Sequence, residues 1–252
     1  MKLSACARSL ALPVKLSARA RSLALPVIAL LALNACGGAA DNANSPVTPS
    51  ATVSSAPASA SNQEFLSETE TGVRTQDGYH LNQVTEGAPT VTLFTDLECP
   101  YCAKADPTYA QVAGELEGTM NVTVKHFPLP MHDNAVPAAQ AVQAAELQGA
   151  HQKMADHIYK HQSEWKELTT SESLVEAFTG YAEELGLDQE QFSADLTRDD
   201  QFDLIQSEYE EGKTAGVTGT PQFVVDGQVV AGVESSTSVE AMVAAFKKAA
   251  NL

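Results

Sequence analysis

Cysteine is scarce in this chain of 252 residues, with four in all, and bases and tryptophan are scarce too, at 15 Lys+Arg and one Trp. Each shortage excludes something. Cys6 and Cys36 fall in an N-terminal segment, which leaves Cys99 and Cys102 alone in the rest of the chain. A lone pair cannot make a disulfide framework, and it supplies only half the ligands of a four-coordinate zinc site. Five of the bases (Lys2, Arg8, Lys15, Arg19 and Arg21) lie within residues 1–35, so ten bases face 32 acids beyond them, a net −22. Such a surface repels nucleic acid and anionic lipid headgroups, and it favours solubility. Long apolar runs are missing as well. The run Leu23 to Leu33 is too short to span a bilayer core of roughly 30 Å.

What is present begins with an export signal. Residues 1–35 carry those five bases and no acid, then the short apolar run, then Leu33-Asn34-Ala35-Cys36 with small residues around it. This is the order of a signal peptide with its cleavage site. The Leu-Asn-Ala-Cys end resembles a bacterial lipoprotein box, with Cys36 as the lipidated first residue of the mature chain, and ordinary signal cleavage is the alternative. Residues 2–14 repeat as 15–27, differing only at Cys6 against Arg19. No fold requires this tandem duplication, so Cys6 carries no functional weight. Residues 36–63 are rich in Ser, Ala, Pro, Thr and Asn. They cannot bury a core and read as a disordered, lipid-anchored linker, about 30 Å from end to end.

Residues 64–252 form one domain of ordinary size. Thr90 to Phe94 is β-branched and aromatic and predicts a strand. Pro100 to about Gly118 predicts a helix, kinked at Pro107. Asn121 to Phe127 alternates as a second strand. Four or five helical stretches follow within 134–215, among them Val136 to Leu147 and Leu174 to Leu185. Gln222 to Val225 and Gln228 to Val230 predict a hairpin turning at Asp226-Gly227, and Ser238 to Asn251 a closing amphipathic helix with Lys247 and Lys248 in its last turns. Residues 64–88 are expected to add a short edge strand. The order β-α-β, helices, β-β-α is that of an α/β thioredoxin fold with a helical domain inserted at about 128–215.

The chemistry concentrates at Cys99-Pro100-Tyr101-Cys102. Cys99 falls where the first strand meets its helix, and a helix N-terminus stabilises a thiolate. Pro100 suits the first helical position, where an N–H is not needed. Cys102, one turn on, is the more enclosed and hence the resolving thiol. Glu98, directly before the nucleophile, is a like charge that opposes the drop in pKa. Zinc would need further ligands. His157 and His161 have i, i+4 spacing, but in a polar stretch they read as a solvated face. A structural disulfide across two residues would close too small a loop to stabilise much. The second marker is Gly216-Val217-Thr218-Gly219-Thr220-Pro221. A proline at the mouth of a strand can be cis, and it leaves the Thr220 backbone free to pair with an extended peptide.

Phe94 to Cys102, His126-Phe127-Pro128-Leu129 to His132, and Gly216 to Pro221 together resemble the DsbA-like family of bacterial thiol:disulfide oxidoreductases, over about 89–250. The resemblance implies Cys99 as the attacking thiol and Cys102 as the resolving one. It places Pro221 as the cis-proline, and Thr220, Pro221, Pro100 and Tyr101 against the substrate. It implies no metal and no cofactor beyond the thiols. The implied partners are reduced exported proteins or peptides and a membrane oxidase or reductase. The implied location is the periplasmic side of a bacterial membrane, the outer one favoured over the inner. Disulfide donation is the expected role; reductase or isomerase chemistry and Cu(I) handling are the alternatives. Many relatives carry a buried acid six residues before the first cysteine, where this chain has Leu93, so Asp96 or a water is left to handle the Cys102 proton. A Pro-Tyr dipeptide puts no positive-capable group beside the thiolate, unlike Pro-His. The couple is therefore expected nearer about −180 mV than about −120 mV.

Overall fold

The computed structural model describes residues 72–252. The expected signal peptide, its duplication, the Cys36 lipidation site and the 36–63 linker lie outside the described residues. Among the described residues six strands form one sheet, in the order β1 (Val73–Thr75), β2 (Gly78–His80), β4 (Asn121–His126), β3 (Thr90–Thr95), β5 (Gln222–Val225) and β6 (Gln228–Val229). Its centre is β3 (Thr90–Thr95), parallel to β4 (Asn121–His126) and antiparallel to β5 (Gln222–Val225). The strand alternation is the cause of the layering. Val91 and Leu93 point into a core with Tyr109, Val112, Met242 and Phe246, under α1 (Pro100–Glu115) and α8 (Val239–Ala249). Phe94 points the other way, onto Phe127, Val217 and Val224. On that face α7 (Asp199–Thr214) comes close enough that a Cβ on Gly212 would lie 2.6 Å from the Phe127 ring. Period-two side-chain direction makes both faces apolar and leaves the sheet sandwiched.

Between β4 and β5 stand α2 (Ala135–Glu146), α3 (His151–Lys160), α4 (Gln162–Trp165), α5 (Ser171–Glu184), α6 (Gln189–Asp195) and α7. The expectation was four or five helices. The sixth arises because α4 is a single turn and α6 only seven residues long, too short for periodicity to register. These helices share a core built on Trp165, Phe178 and Phe192, and that core also takes in Leu97, Cys99 and Cys102. The two thiols therefore sit where the inserted helices meet the strand ends.

The N-terminal part gives more than one edge strand. β1 (Val73–Thr75) and β2 (Gly78–His80) form a hairpin, and β2 pairs antiparallel with β4. Arg74 ties it down. Its guanidinium donates to both Glu146 oxygens at 2.6 and 2.8 Å and to Glu208 at 2.6 Å. The other Glu208 oxygen accepts the His126 N–H at 2.7 Å. α1 continues through Pro107 to Glu115. At the far edge β5 turns into β6 (Gln228–Val229) through Asp226 and Gly227, both at positive φ (48° and 75°), the geometry of the tight turn that an Asp-Gly pair favours.

Candidate active site

Cys99 immediately precedes α1 with extended backbone (φ −74°, ψ 120°), and Pro100 follows at the first helical position. The sulfur thus lies at the end of the helix where unpaired N–H groups favour an anion. Cys102, one turn on, has its N–H on the Cys99 carbonyl at 3.1 Å. Both cysteines are thiols, 3 % and 1 % exposed. The chain returns to them from far away in sequence. The Thr220–Pro221 peptide is cis, and the Thr220 carbonyl accepts from Cys99 Sγ at 3.5 Å. Cys99, Cys102, Thr220 and Pro221 are therefore brought together. Pro100 and Tyr101 face outward on the same rim, Tyr101 with 65 % of its surface open.

The two thiols are driven apart in acidity. A hydrogen bond from Cys102 lowers the Cys99 pKa, against the opposing effect of burial, with help from the Cys102 N–H, Thr220 and the Tyr101 N–H; it falls from an ordinary 9.0 to about 6. Burial, the hydrogen bond to Cys99 and the charge of Cys99 raise Cys102 well above its ordinary value. One sulfur is an anion near neutrality and its neighbour keeps a proton to donate to it. A pair so divided can act as nucleophile and resolving thiol.

The surroundings of the pair bear out the sequence reading at Leu93 and differ from it at Asp96 and Glu98. Leu93, at the position of the missing acid, lies in the apolar core with Phe223 and Tyr109. The Asp96 carboxylate is committed elsewhere, accepting from the Glu98 N–H (2.8 Å), the Leu129 N–H (2.7 Å) and His132 Nδ1 (2.7 Å). What Asp96 offers Cys102 is its backbone N–H, 3.5 Å from the sulfur. Glu98 turns its carboxylate to the Asn134 N–H at 2.7 Å, and burial, partly offset by that bond, raises its pKa.

His132 was noted only as the end of a motif, yet it lies within the electrostatic reach of Cys99. Burial works against its imidazolium, but the Asp96 hydrogen bond and the charges of Asp96, Glu98 and Cys99 prevail, and its pKa is raised. The signal available was the pairing of a buried Asp before the first cysteine with a His after the second strand. His157 and His161 stack at 4.4 Å, and His157 rests on Tyr181. They are paired with Glu184 and Glu164 and are half-buried rather than a fully solvated face. Among the described residues no group of three or more His, Cys, Asp or Glu side chains is arranged to hold a metal.

A family model described as Thioredoxin matches residues 85–248. Among solved structures, MdbA, a thiol-disulfide oxidoreductase from Corynebacterium diphtheriae, superposes with a TM-score of 0.54 at 16% identity, over 73% of this chain and 98% of that one. The oxidoreductase DsbA from Xylella fastidiosa gives 0.53 at 16% identity, over 66% and 86%. A putative protein-disulfide isomerase from Pseudomonas syringae gives 0.56 at 16% identity, over 64% and 94%. At these identities the likeness is one of fold. Among curated proteins, an Na(+)/H(+) antiporter NhaA 1 of Salinispora arenicola is 33% identical over 174 residues, 69% of this chain and 25% of that protein. The chain spans about a quarter of the length of the curated relatives it matches. Among the described residues no helix is long and apolar enough to cross a membrane.

Proposed function

The chain belongs to the thioredoxin family and has a DsbA-like fold, and from that premise we propose that it is an exported thiol–disulfide oxidoreductase acting as a disulfide donor. The observation that carries this reading is the split pair. Cys99 ionises at about 6 beside a Cys102 that retains its proton, and the Thr220 carbonyl at the cis-proline faces the nucleophile.

In the donor reaction a client thiolate attacks Cys99 Sγ of the Cys99–Cys102 disulfide. The S–S bond breaks, Cys102 leaves with the electron pair and takes up a proton, and client and Cys99 share a mixed disulfide. The client's second thiolate then attacks its own sulfur in that bond, and Cys99 leaves as thiolate. Thr220 and Pro221 present the client's extended backbone, with Pro100 and Tyr101 on the same rim. Residues 1–35 direct export and Cys36 carries the lipid, which holds the domain on the periplasmic side of a membrane. A membrane oxidase re-forms the disulfide. An ionisation at about 6 lies between those of thioredoxin, about 7, and of the strongest donor of this fold, about 3.5, which supports a milder oxidant.

Thiol trapping in intact cells tests the direction. A donor is held mostly as the disulfide. A Cys99–Cys102 pair found mostly as dithiol would overturn donation in favour of reductase or isomerase chemistry.

A further inference from the structure

The dipeptide Pro100-Tyr101 supplies no cation to the nucleophile, and the loop after β4 carries an imidazole that Asp96 holds. Asp96 is the connector. Its carbonyl accepts the Cys99 N–H at 3.1 Å and its N–H addresses Cys102 Sγ, so its backbone is built into the turn that holds both thiols. Its side chain, fully buried, reaches across to the β4–α2 loop and holds the Leu129 N–H and His132 Nδ1, each at 2.7 Å. One residue thus fixes the helix end carrying Cys99 and the ring of His132 against each other. With Nδ1 committed to a carboxylate, Nε2 is the nitrogen from which the ring's remaining proton is lost.

We propose that His132, oriented by Asp96, is a cation that stabilises the Cys99 thiolate alongside the Cys102 hydrogen bond and so tunes the redox poise of the pair. This deepens the proposed exchange function and rests on it for its consequence in catalysis. His132 acts on the sulfur through its charge, as a positioning and electrostatic residue. In the last step of donation, where the client–Cys99 S–S bond breaks and Cys99 keeps the electron pair, the imidazolium stabilises the departing thiolate. His132 touches Asp96 of the β3–α1 turn, and the charges of Asp96, Glu98 and Cys99 at the head of α1 all act on its ring. Its chain neighbour Asp133 lines the adjoining cleft with Glu98, Lys166 and Glu167. These three groups are acidic and favour the protonated ring, in keeping with its raised pKa. Deprotonation of the ring at higher pH removes the partner and makes the couple less oxidising.

The test is His132→Gln in the full chain, read by alkylation of Cys99 with iodoacetamide across pH and by equilibration with glutathione. Alkylation at pH 6 should fall at least about threefold, because an opposite charge nearby favours the ionised thiol, while the rate at pH 9, where either protein is ionised, stays the same. The glutathione equilibrium should shift by the same factor toward the disulfide form. His132→Lys, which restores a charge, should recover part of both. An unchanged rate at pH 6, or an equal loss at pH 6 and pH 9, overturns the proposal. A parent protein that fails to equilibrate with glutathione sinks the exchange function instead, and the alkylation arm still decides the role of His132.

Discussion

Removing the Cys102 thiol should make Cys99 a weaker acid by a predictable amount. In the reduced protein Cys102 keeps its proton, and its hydrogen bond is the leading cause of the low Cys99 pKa. A hydrogen bond to a charged group contributes about 1.5–3 kcal/mol. At about 1.4 kcal/mol per pKa unit, its loss raises the midpoint by about 1–2 units. Cys102→Ala should therefore move the Cys99 ionisation from about 6 to the range of about 7–8. At pH 6 the thiolate fraction then falls from about a half to between a tenth and a hundredth, so iodoacetamide alkylation slows by about 5- to 50-fold. At pH 9 it slows little. Cys102→Ser keeps a donor and should shift the midpoint less. The reasoning is refuted by a midpoint in Cys102→Ala equal to the parent's, or by a parent that titrates near 9.

Other perturbations test other parts of the account. Arg74→Ala strands the Glu146 and Glu208 carboxylates inside the fold and should cost about 3–5 kcal/mol in urea unfolding. Although burial opposes it, Glu146 is held at about 2 by His151 and Arg74, below its ordinary 4.5. A depressed carboxyl adds stability above pH about 4.5 that is lost as pH falls through about 2, so the gap between parent and Arg74→Ala should narrow below pH about 4.5. Gly212→Ala drives a methyl into the Phe127 and Phe94 rings and should cost about 1–3 kcal/mol, seen as a lower urea midpoint at unchanged slope. Because Cys99 ionises at about 6 and not at the about 3.5 of the strongest donor of this fold, the Cys99–Cys102 couple should equilibrate with glutathione nearer about −180 mV than about −120 mV, and a value near about −120 mV would contradict the milder poise.

The central elements were legible because each has a local cause. β3 and β4 show period-two apolar alternation, the Asp226-Gly227 turn needs two residues at positive φ, and α8 opens with a Ser238 hydroxyl capping the Ala241 N–H. Cys99, Cys102 and the Thr220–Pro221 step were legible because helix ends and prolines impose their chemistry on their own neighbours. The β1–β2 hairpin was read as a single strand, although Gly78, at φ 119° after Gln76-Asp77, marks a turn. What secures it is Arg74 with Glu146 and Glu208, partners 72 and 134 residues away, and no window of sequence joins them. The same holds for the Asp96–His132 contact, 36 residues apart. Proximity to the thiols is a property of the folded sheet, where Thr95 and His126 end side by side, so a cation absent from the dipeptide was supplied by a loop that local reading could not place.

The central claim is that Cys99 is the sulfur that exchanges and Cys102 the one that resolves. Mass-spectrometric mapping of the covalent adducts formed when each single-cysteine variant meets a disulfide-bonded peptide measures this directly. The account predicts that Cys102→Ser accumulates a mixed disulfide on Cys99, while Cys99→Ser, whose remaining thiol is 1 % exposed and keeps its proton, accumulates none. Equal adducts on both variants, or none on Cys99, would contradict it.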